Sequence, residues 1–322
     1  MQTARAVVLA AACALCSPAL AVEGPTVAGP IGGNDIRSAV LPPPGLYGGV
    51  VLLHASTIDF LDRHGNIIPQ FRDAQLHKQV AGPFLYYVPK LKLLGGSIGF
   101  GGMVPLGNQC GHLFVGQPSE CERGVGDPYV ELDWSRNFGT VRPSKYPGAY
   151  PILQGLSVLV GFGMVLPAGQ YQDDDLLEQV LSPGTNIWDF APTLGVTYTT
   201  PPILAEGTEF SAKAYLNNYL ENPSTRYYTG KVVNIDFAVT ERIGRFQVGV
   251  AGFYAWQIED DELFGLPILP DGRRAKALQL GPIINYDMPE SGSSLRLKSY
   301  KALHVRNTVT SWNVVVGWLK KF

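Results

Sequence analysis

Apolar and polar residues alternate along most of this chain, most clearly in the stretch VVNIDFAVTER. One set of alternate positions holds Val233, Ile235, Phe237 and Val239, and the other holds Asn234, Asp236, Ala238 and Thr240. The stretch RFQVGVAGFYAWQ follows almost at once and repeats the alternation. Because a strand points successive side chains to opposite faces, the pattern predicts a tight hairpin of two strands. Each is longer than the roughly 5 to 6 residues common in soluble sheets.

The same period recurs along the chain and predicts twelve strands. They lie at about 45–57, 80–90, 94–106, 125–138, 154–167, 186–200, 207–220, 226–242, 245–258, 274–288, 294–305 and 309–322. Connections after odd-numbered strands are mostly long and those after even-numbered strands mostly short, apart from 139–153. An even strand count with long loops on one rim is typical of outer-membrane barrels. The sequence therefore predicts an all-β transmembrane antiparallel up-and-down barrel with short periplasmic turns and longer extracellular loops.

Residues 147–172 carry no charge and are numerous enough for a membrane helix. Several Pro and Gly residues interrupt this stretch, however, and its large apolar residues from Leu156 to Leu166 occupy alternate positions. The alternation favours a strand over a helix.

The first 21 residues resemble a secretory signal. Arg5 supplies the charged end, residues 6–15 are apolar, and Ala19-Leu20-Ala21 fits a cleavage site. The apolar run is shorter than the roughly 20 residues that cross a bilayer, which disfavours an anchor helix. The expected organisation is a signal at 1–21, a flexible Pro- and Gly-rich segment at 22–44 and a barrel at 45–322.

Cys110 and Cys121 are the cysteines that would stay after signal removal. Export permits disulfides, so a bridge between them is expected. A metal site using His112 is the alternative, but this spacing lacks a fourth ligand.

Charged residues make up 16% of the chain, below the roughly 25% of soluble domains, while Gly is abundant at 37 residues. The small acidic excess and the lack of basic runs argue against a nucleic-acid partner. Low charge suggests strands that face lipid, with aromatic residues near the strand ends forming interfacial girdles. The candidates are Trp188, Tyr198, Tyr219, Tyr227, Tyr228, Trp256 and Trp318. In a soluble sandwich the same residues would be core aromatics.

Eight charged residues are expected to face the lumen. They are Glu131, Asp133, Glu209, Lys213, Asp236, Asp287, Arg296 and Lys298. They could line a solute path, or they could form a salt-bridge network that stiffens the barrel. Both signs are present, which argues against strong ion selectivity. A twelve-stranded barrel lies between filled and open sizes, so a narrow pore or a lumen partly plugged by residues before Gly45 is expected.

Four stretches resemble a known family of outer-membrane proteins of the meta pathway of phenol degradation. They are GVGDPYVELDWSRNFG, LSVLVGFGMVLPAGQY, EGTEFSAKAYLNNYLENPSTRYYTG and LGPIINYD. The similarity runs from about Gly45 to Phe322. It implies a transporter-like barrel associated with the catabolism of aromatic compounds, and it supplies no functional residue to carry over.

The chain ends on TSWNVVVGWLKKF, with Trp318 and Phe322 in one alternate set. We expect this segment to be the last strand and to close the barrel against the first. Its final Phe also resembles the C-terminal signal by which such barrels reach the outer-membrane assembly machinery.

The leading hypothesis is a bacterial outer-membrane channel for passive uptake of small, relatively hydrophobic solutes, with aromatic compounds as one candidate class and with no cofactor or metal. A second hypothesis is a structural or adhesive barrel whose acidic loops, 172–175 and 259–262, bind divalent cations that bridge lipopolysaccharide. Arg273 and Arg274 could instead neutralise the second loop. A less favoured third is a lipase-type hydrolase using His54 with Ser56, or His304. Outer-membrane lipid, lipopolysaccharide, the assembly machinery and a small solute are the expected partners.

Overall fold

The computed structural model describes residues 35–322, so the expected signal at 1–21 and residues 22–34 of the expected flexible segment lie outside the described residues. Within 35–322 the chain forms a closed antiparallel barrel with twelve strand positions. Ten positions are single strands: β1 (Gly45–Phe60), β2 (Gln75–Val88), β9 (Ile152–Val165), β10 (Asp189–Thr199), β11 (Thr208–Tyr219), β13 (Val232–Ile243), β14 (Phe246–Gln257), β17 (Lys276–Met288), β18 (Ser293–Arg306) and β19 (Val309–Lys321).

Two positions are each made of two strands. These are β4 (Gly96–Met103) with β5 (Leu106–His112), and β6 (Glu120–Val125) with β7 (Tyr129–Asn137). Short elements outside the twelve positions are β3 (Lys92–Leu93), β8 (Thr140–Arg142), β12 (Tyr227–Tyr228), β15 (Glu262–Leu263), β16 (Leu266–Pro267) and the helix α1 (Leu176–Leu181). Between residues 35 and 322 the structure has no helix that is both long and apolar enough to cross a membrane.

The barrel closes where β19 pairs with β1, from Tyr47 opposite Lys321 to Phe60 opposite Val309. The Phe322 N–H also donates to the Leu46 carbonyl at 2.9 Å. Closure gives β1 and β19 a hydrogen-bonded neighbour on each side, which is the arrangement that lets a sheet satisfy its backbone groups in hydrocarbon. The predicted barrel and its predicted closing pair are confirmed.

The third and fourth positions differ in detail from the predicted strands at 94–106 and 125–138. Pro105 has no N–H to donate and interrupts the ladder, so β4 pairs with the periplasmic half of β2 and β5 with its outer half. The predicted loop at 107–124 is therefore mostly strand, with only 113–119 outside β5 and β6. Cys110 lies directly opposite Cys121 and is bonded to it, which confirms the predicted disulfide.

The predicted strand at 226–242 also begins later in the structure, at Val232. Tyr227 and Tyr228 instead belong to a small extracellular sheet formed with β15 and β16. Arg226 has a φ of 59°, and this left-handed residue turns the chain away from the direction of the wall strand. On the other rim, the expected long connection at 139–153 contains β8, which pairs with the start of β9.

Polar residues fill much of the barrel interior, and apolar residues cover the outside. Leu52, Phe162 and Leu297 are each 46% exposed on the outer face. This reversal of the soluble pattern is what lipid outside a closed sheet requires. Two residues of the expected girdle are corrected. Tyr219 is 3% exposed and faces the lumen, and Tyr227 is 6% exposed and lies in the small extracellular sheet.

Two apolar clusters occupy the outer end of the barrel. One lies on the lumenal side of the barrel wall and is formed by Ile187, Tyr219, Val232, Phe253, Ala255, Ala277 and Val305. The other joins α1 to the first outer loop and to the end of β5, through Phe60, Phe71, Ala74, Leu113, Leu177 and Leu181. Both clusters therefore lie at the extracellular ends of the strands.

Candidate functional site

Residues 35–40, here called the lumen segment, cross the barrel interior from the β18 side to the β7 side. Ser38 Oγ lies 3.0 Å from Ser211 Oγ on β11. The Ala39 N–H donates to Thr197 Oγ1 at 3.0 Å, and Ser135 Oγ donates to the Ala39 carbonyl at 2.5 Å. Ser38 and Ala39 have small side chains, and both residues are buried where the segment passes between the walls. Residues 22–44 were expected to be flexible, but residues 38 and 39 are hydrogen-bonded to strands across the lumen.

Asp35 anchors the start of the lumen segment to β18. The alternation of β18 puts Arg296, Lys298 and Tyr300 on its inward face. Lys298 Nζ and the Tyr300 hydroxyl donate to Asp35 Oδ2 at 2.7 and 2.6 Å, and Arg296 Nη1 donates to Oδ1 at 3.1 Å. Asp35 is fully buried, and a buried carboxylate is tolerated only with partners of this kind.

Arg37 makes the second anchor, to β17 and β11. Its Nη2 lies 2.7 Å from Asp287 Oδ2, and its N–H donates to Glu209 Oε1 at 2.7 Å. Arg242 Nη2 lies 3.2 Å from the same oxygen of Asp287. Asn285 donates to the other oxygen at 2.9 Å. Asp287 therefore holds two guanidinium groups, one from the segment and one from the wall.

Lys213 of β11 forms a third ionic group with two carboxylates of β7. Its ammonium lies 3.1 Å from Glu131 Oε2 and 3.4 Å from Asp133 Oδ1. Tyr86 donates to Asp133 and Tyr129 donates to Glu131, each at 2.9 Å. One cation and two hydroxyls thus satisfy two neighbouring carboxylates in a site where Lys213 is only 1% exposed.

Glycines make room for this third group. A side chain at Gly161 would collide with the Asp133 carboxylate, and one at Gly99 would collide with the Tyr86 ring. Glycine at alternate, inward strand positions is thus the sequence signal that marks this crowded region. Sequence reasoning did not use it and did not identify Tyr86 or Tyr129.

The structure places all eight predicted lumenal residues on inward positions, and seven of them belong to these three groups. Asp236 lies opposite Lys213 in the strand register and accepts from Asn234 at 3.1 Å. The ion pairs fit the expected network, whereas a role in a solute path stays a prediction. Asp35 and Arg37 were missed because Pro- and Gly-rich surroundings suggested a flexible lead-in.

A cavity of about 340 Å³ lies between the lumen segment and the wall formed by β19, β1, β2 and β4. Much of its lining is apolar, including Ile36, Val40, Val51, Phe84, Met103, Leu159 and Val315. Its polar side includes residues of the ionic groups, among them Arg37, Glu131, Lys213 and Arg296. The lumenal cavity thus combines an apolar surface with polar groups that already have partners.

The residues proposed for hydrolysis lie elsewhere. Ser56 Oγ is 3.3 Å from His54 Nε2 and 3.0 Å from His77 Nδ1. Their positions in β1 and β2 alternate with those of lumenal residues, so these side chains face outward from the barrel. His304 occupies an outward position near the end of β18. The expected contact between His54 and Ser56 exists, but it does not open onto the lumenal cavity.

The second acidic loop is largely neutralised from within. Arg274 Nε lies 2.6 Å from Asp260 Oδ1, and Lys231 Nζ lies 2.7 Å from Glu259 Oε1. Burial raises the pKa of Asp261, although Tyr227 donates a hydrogen bond to it at 2.5 Å. These bonds fold the loop and leave little free charge for cations.

In the first acidic loop, Asp175 caps α1 by accepting from the Leu177 and Glu178 N–H groups. Across the described part of the chain, no three His, Cys, Asp or Glu side chains converge as metal ligands would.

The sequence profile of a family described as "Putative MetA-pathway of phenol degradation" matches residues 59–317. Comparison with curated proteins finds no significant sequence match. Among solved structures, the chain is similar to the COG4313 outer membrane channel from Pseudomonas putida F1. The TM-score is 0.70 at 16% identity, and the match covers 89% of this chain and 98% of that one.

Two further structures are similar at lower TM-scores. The beta domain of the Bordetella autotransporter BrkA matches with a TM-score of 0.45 and 13% identity, over 87% of this chain and 99% of that one. The P. putida toluene transporter TodX matches with a TM-score of 0.42 and 11% identity, over 90% and 93%. At these identities the structural likeness concerns the fold.

Proposed function

Because the chain belongs to the family described as MetA-pathway of phenol degradation and folds as a bacterial outer-membrane barrel, we propose that it is a channel for small apolar solutes. Aromatic compounds are the class we propose first, since the family description associates it with phenol degradation. We further propose that movement is passive, down the gradient of the solute.

The lumenal cavity is the observation that carries this proposal. Its volume of about 340 Å³ falls in the range of small-molecule pockets, roughly 300 to 1,000 Å³. Contact with Val51, Phe84 and Val315 would remove apolar solute surface from water, which is favourable by about 25 cal/mol per Å².

The ionic groups next to the cavity argue for an uncharged solute. Lys213, Asp287 and Arg37 each already have a partner of opposite charge at 3.4 Å or less. A charged solute would have to compete with these bonds or be desolvated without a partner, and either is costly. An uncharged aromatic ring with at most one hydroxyl neither competes with these ion pairs nor brings an unpaired charge out of water.

Uptake by cells with an intact outer membrane tests the proposal. We would compare cells that make the protein with cells that lack it, using radiolabelled toluene, phenol, benzoate and glycerol. The proposal predicts that the protein increases the initial uptake rate of toluene and phenol more than that of benzoate or glycerol. Equal uptake of all four solutes with and without the protein would contradict it.

A further inference from the structure

The outward face of half of the barrel carries cationic and histidine side chains in its extracellular part, which neither the fold nor solute passage explains. Its members lie on outward positions of β17, β18, β1, β2 and β6. They are Lys276, Lys301, His304, Arg306, His54, His77 and Arg123, and we call them the outer cationic belt.

Strand register locates the belt relative to the lipid. One row of directly paired outward residues is entirely apolar: Leu297, Val316, Leu52, Ala81, Leu106 and Val125. The next outward row toward the extracellular side is Ser299, Val314, His54, Gln79, Asn108 and Arg123. The row beyond it contains Lys301, Trp312, Ser56 and His77. The face thus changes from hydrocarbon-compatible to polar over two rows, as at a membrane interface.

The charge of this face is almost all of one sign. Among the described residues of these strands, the outward positions near the belt include one carboxylate, Asp59, which lies at the outer end of β1 beside Thr310. Lys301, Arg123 and His77 are exposed. Arg123 Nε donates a hydrogen bond to Oδ1 of the neutral Asn108 at 2.8 Å.

The other half of the barrel has a different outer interface. There, stacked aromatic pairs occupy the corresponding strand ends, with Trp188 against Phe190 at 5.9 Å and Tyr254 against Trp256 at 5.0 Å. Aromatic pairs suit a general interface, whereas a row of cations suits anionic headgroups. Cations and Trp312 on one sector indicate a particular lipid contact on that sector.

We propose that the outer cationic belt binds the phosphate groups of the glycolipid that forms the outer leaflet, with Lys301 and Arg123 as its main charged contacts. Lys and Arg form charge-assisted hydrogen bonds with phosphate oxygens, and the apolar row below would contact the acyl chains. This site is independent of the lumenal cavity and of the acidic loops, whose binding would need divalent cations.

Binding of purified lipid A tests this assignment. We would titrate detergent-solubilised protein with diphosphoryl lipid A and with dephosphorylated lipid A, in the presence of EDTA. The variant is Lys301→Gln with Arg123→Gln. The matched control is Lys90→Gln with Lys92→Gln, which removes the same charge at the periplasmic end. Heat-dependent gel mobility verifies that each barrel is folded.

Wild type and control should bind diphosphoryl lipid A more tightly than the dephosphorylated form, despite EDTA. The double variant should lose about fivefold in affinity for each cation removed. Equal affinity of wild type for both lipids, loss of binding in EDTA, or an unchanged double variant would each overturn the proposal.

Discussion

Removal of the Lys213 ammonium should destabilise the barrel, because this group is buried between two carboxylates of β7. Lys213→Met would leave Glu131 and Asp133 without their cation. Breaking a buried pair by removing one partner typically costs about 3–5 kcal/mol in the free energy of unfolding. Urea unfolding in micelles measures this change.

Two controls separate charge from packing in that experiment. Lys90→Met changes an exposed lysine in the same way and should leave the unfolding free energy nearly unaltered. Adding Asp133→Asn to Lys213→Met removes one uncompensated carboxylate and should recover part of the loss. If Lys213→Met were as stable as Lys90→Met, the ionic group would not stabilise the barrel.

The Glu206 carboxyl should make the stability of the periplasmic rim depend on pH. Burial would raise the pKa of its carboxyl, but hydrogen bonds from the Lys145 and Gly244 N–H groups and from Ser144 hold the pKa below its ordinary value of 4.5. The folded state then binds fewer protons than the unfolded state near that pH. The stabilisation is therefore present above pH 4.5 and is lost as pH falls through the lower folded value.

Glu206→Gln should make the connection at 143–151 open more readily at pH 7, by about 1–3 kcal/mol for the lost charged hydrogen bonds. Hydrogen exchange at the Lys145 and Gly244 amides, corrected for intrinsic rates, measures this opening. The difference between wild type and variant should shrink as pH falls below the folded pKa of Glu206. A difference independent of pH would contradict the assigned role of the carboxylate.

At the residue scale the alternation of polar positions was sufficient to place the eight lumenal charges inside. It could not reveal their partners, because Arg37 and Asp287 are 250 positions apart in sequence. Such contacts depend on where the lumen segment crosses the barrel. Composition alone does not encode that path, since Pro and Gly suit a bonded extended segment as well as a loose one.

At the scale of the elements, the Cys110–Cys121 disulfide joins β5 to β6 and should stabilise this hairpin. A disulfide over 11 residues of sequence separation should stabilise it by roughly 2–3 kcal/mol. Cys110→Ser with Cys121→Ser should therefore increase protease cleavage between residues 113 and 119, while the barrel keeps its heat-dependent gel mobility. Unchanged cleavage would show that strand pairing alone holds the hairpin.

The last strand gives a prediction about assembly. Phe322 extends β19 beyond Lys321 and bonds to Leu46, while its side chain is 67% exposed. Deleting Phe322 should lower the amount of protein in the outer membrane far more than it lowers uptake per inserted molecule. Quantitative immunoblotting of membrane fractions measures the first and labelled-solute uptake the second. A normal outer-membrane amount would contradict the assigned role.

The period-2 pattern was sufficient to predict which segments form strands, but it did not predict where each strand begins and ends. Strands continued into stretches that Gly and polar residues suggested were loops, as in GNQCGH, where pairing with β2 overrides local preference. Conversely, Tyr227 and Tyr228 have strand propensity and do form a strand, but in a different sheet. Tertiary pairing decided both cases, and local sequence carries little information about it.

For the molecule as a whole, the lumen segment should limit ion flow. Asp35→Asn with Arg37→Ala would remove its ionic anchors to β18 and β17, so the segment should leave the lumen more often. Single-channel conductance should rise relative to wild type. Asp173→Asn with Arg63→Ala, both in outer loops, makes a matched change and should not raise it. Identical conductance for all three proteins would show that these anchors do not control the lumen.

The proposed passage of solutes through the lumenal cavity is tested most directly at two adjacent residues of β1. Val51 lines the cavity, whereas Val50 is on the outward face. We would measure the initial rate of toluene uptake per folded molecule in cells that make Val51→Trp or Val50→Trp. Filling the cavity should reduce uptake for Val51→Trp while Val50→Trp stays near wild type. Equal rates for the two variants would contradict the claim.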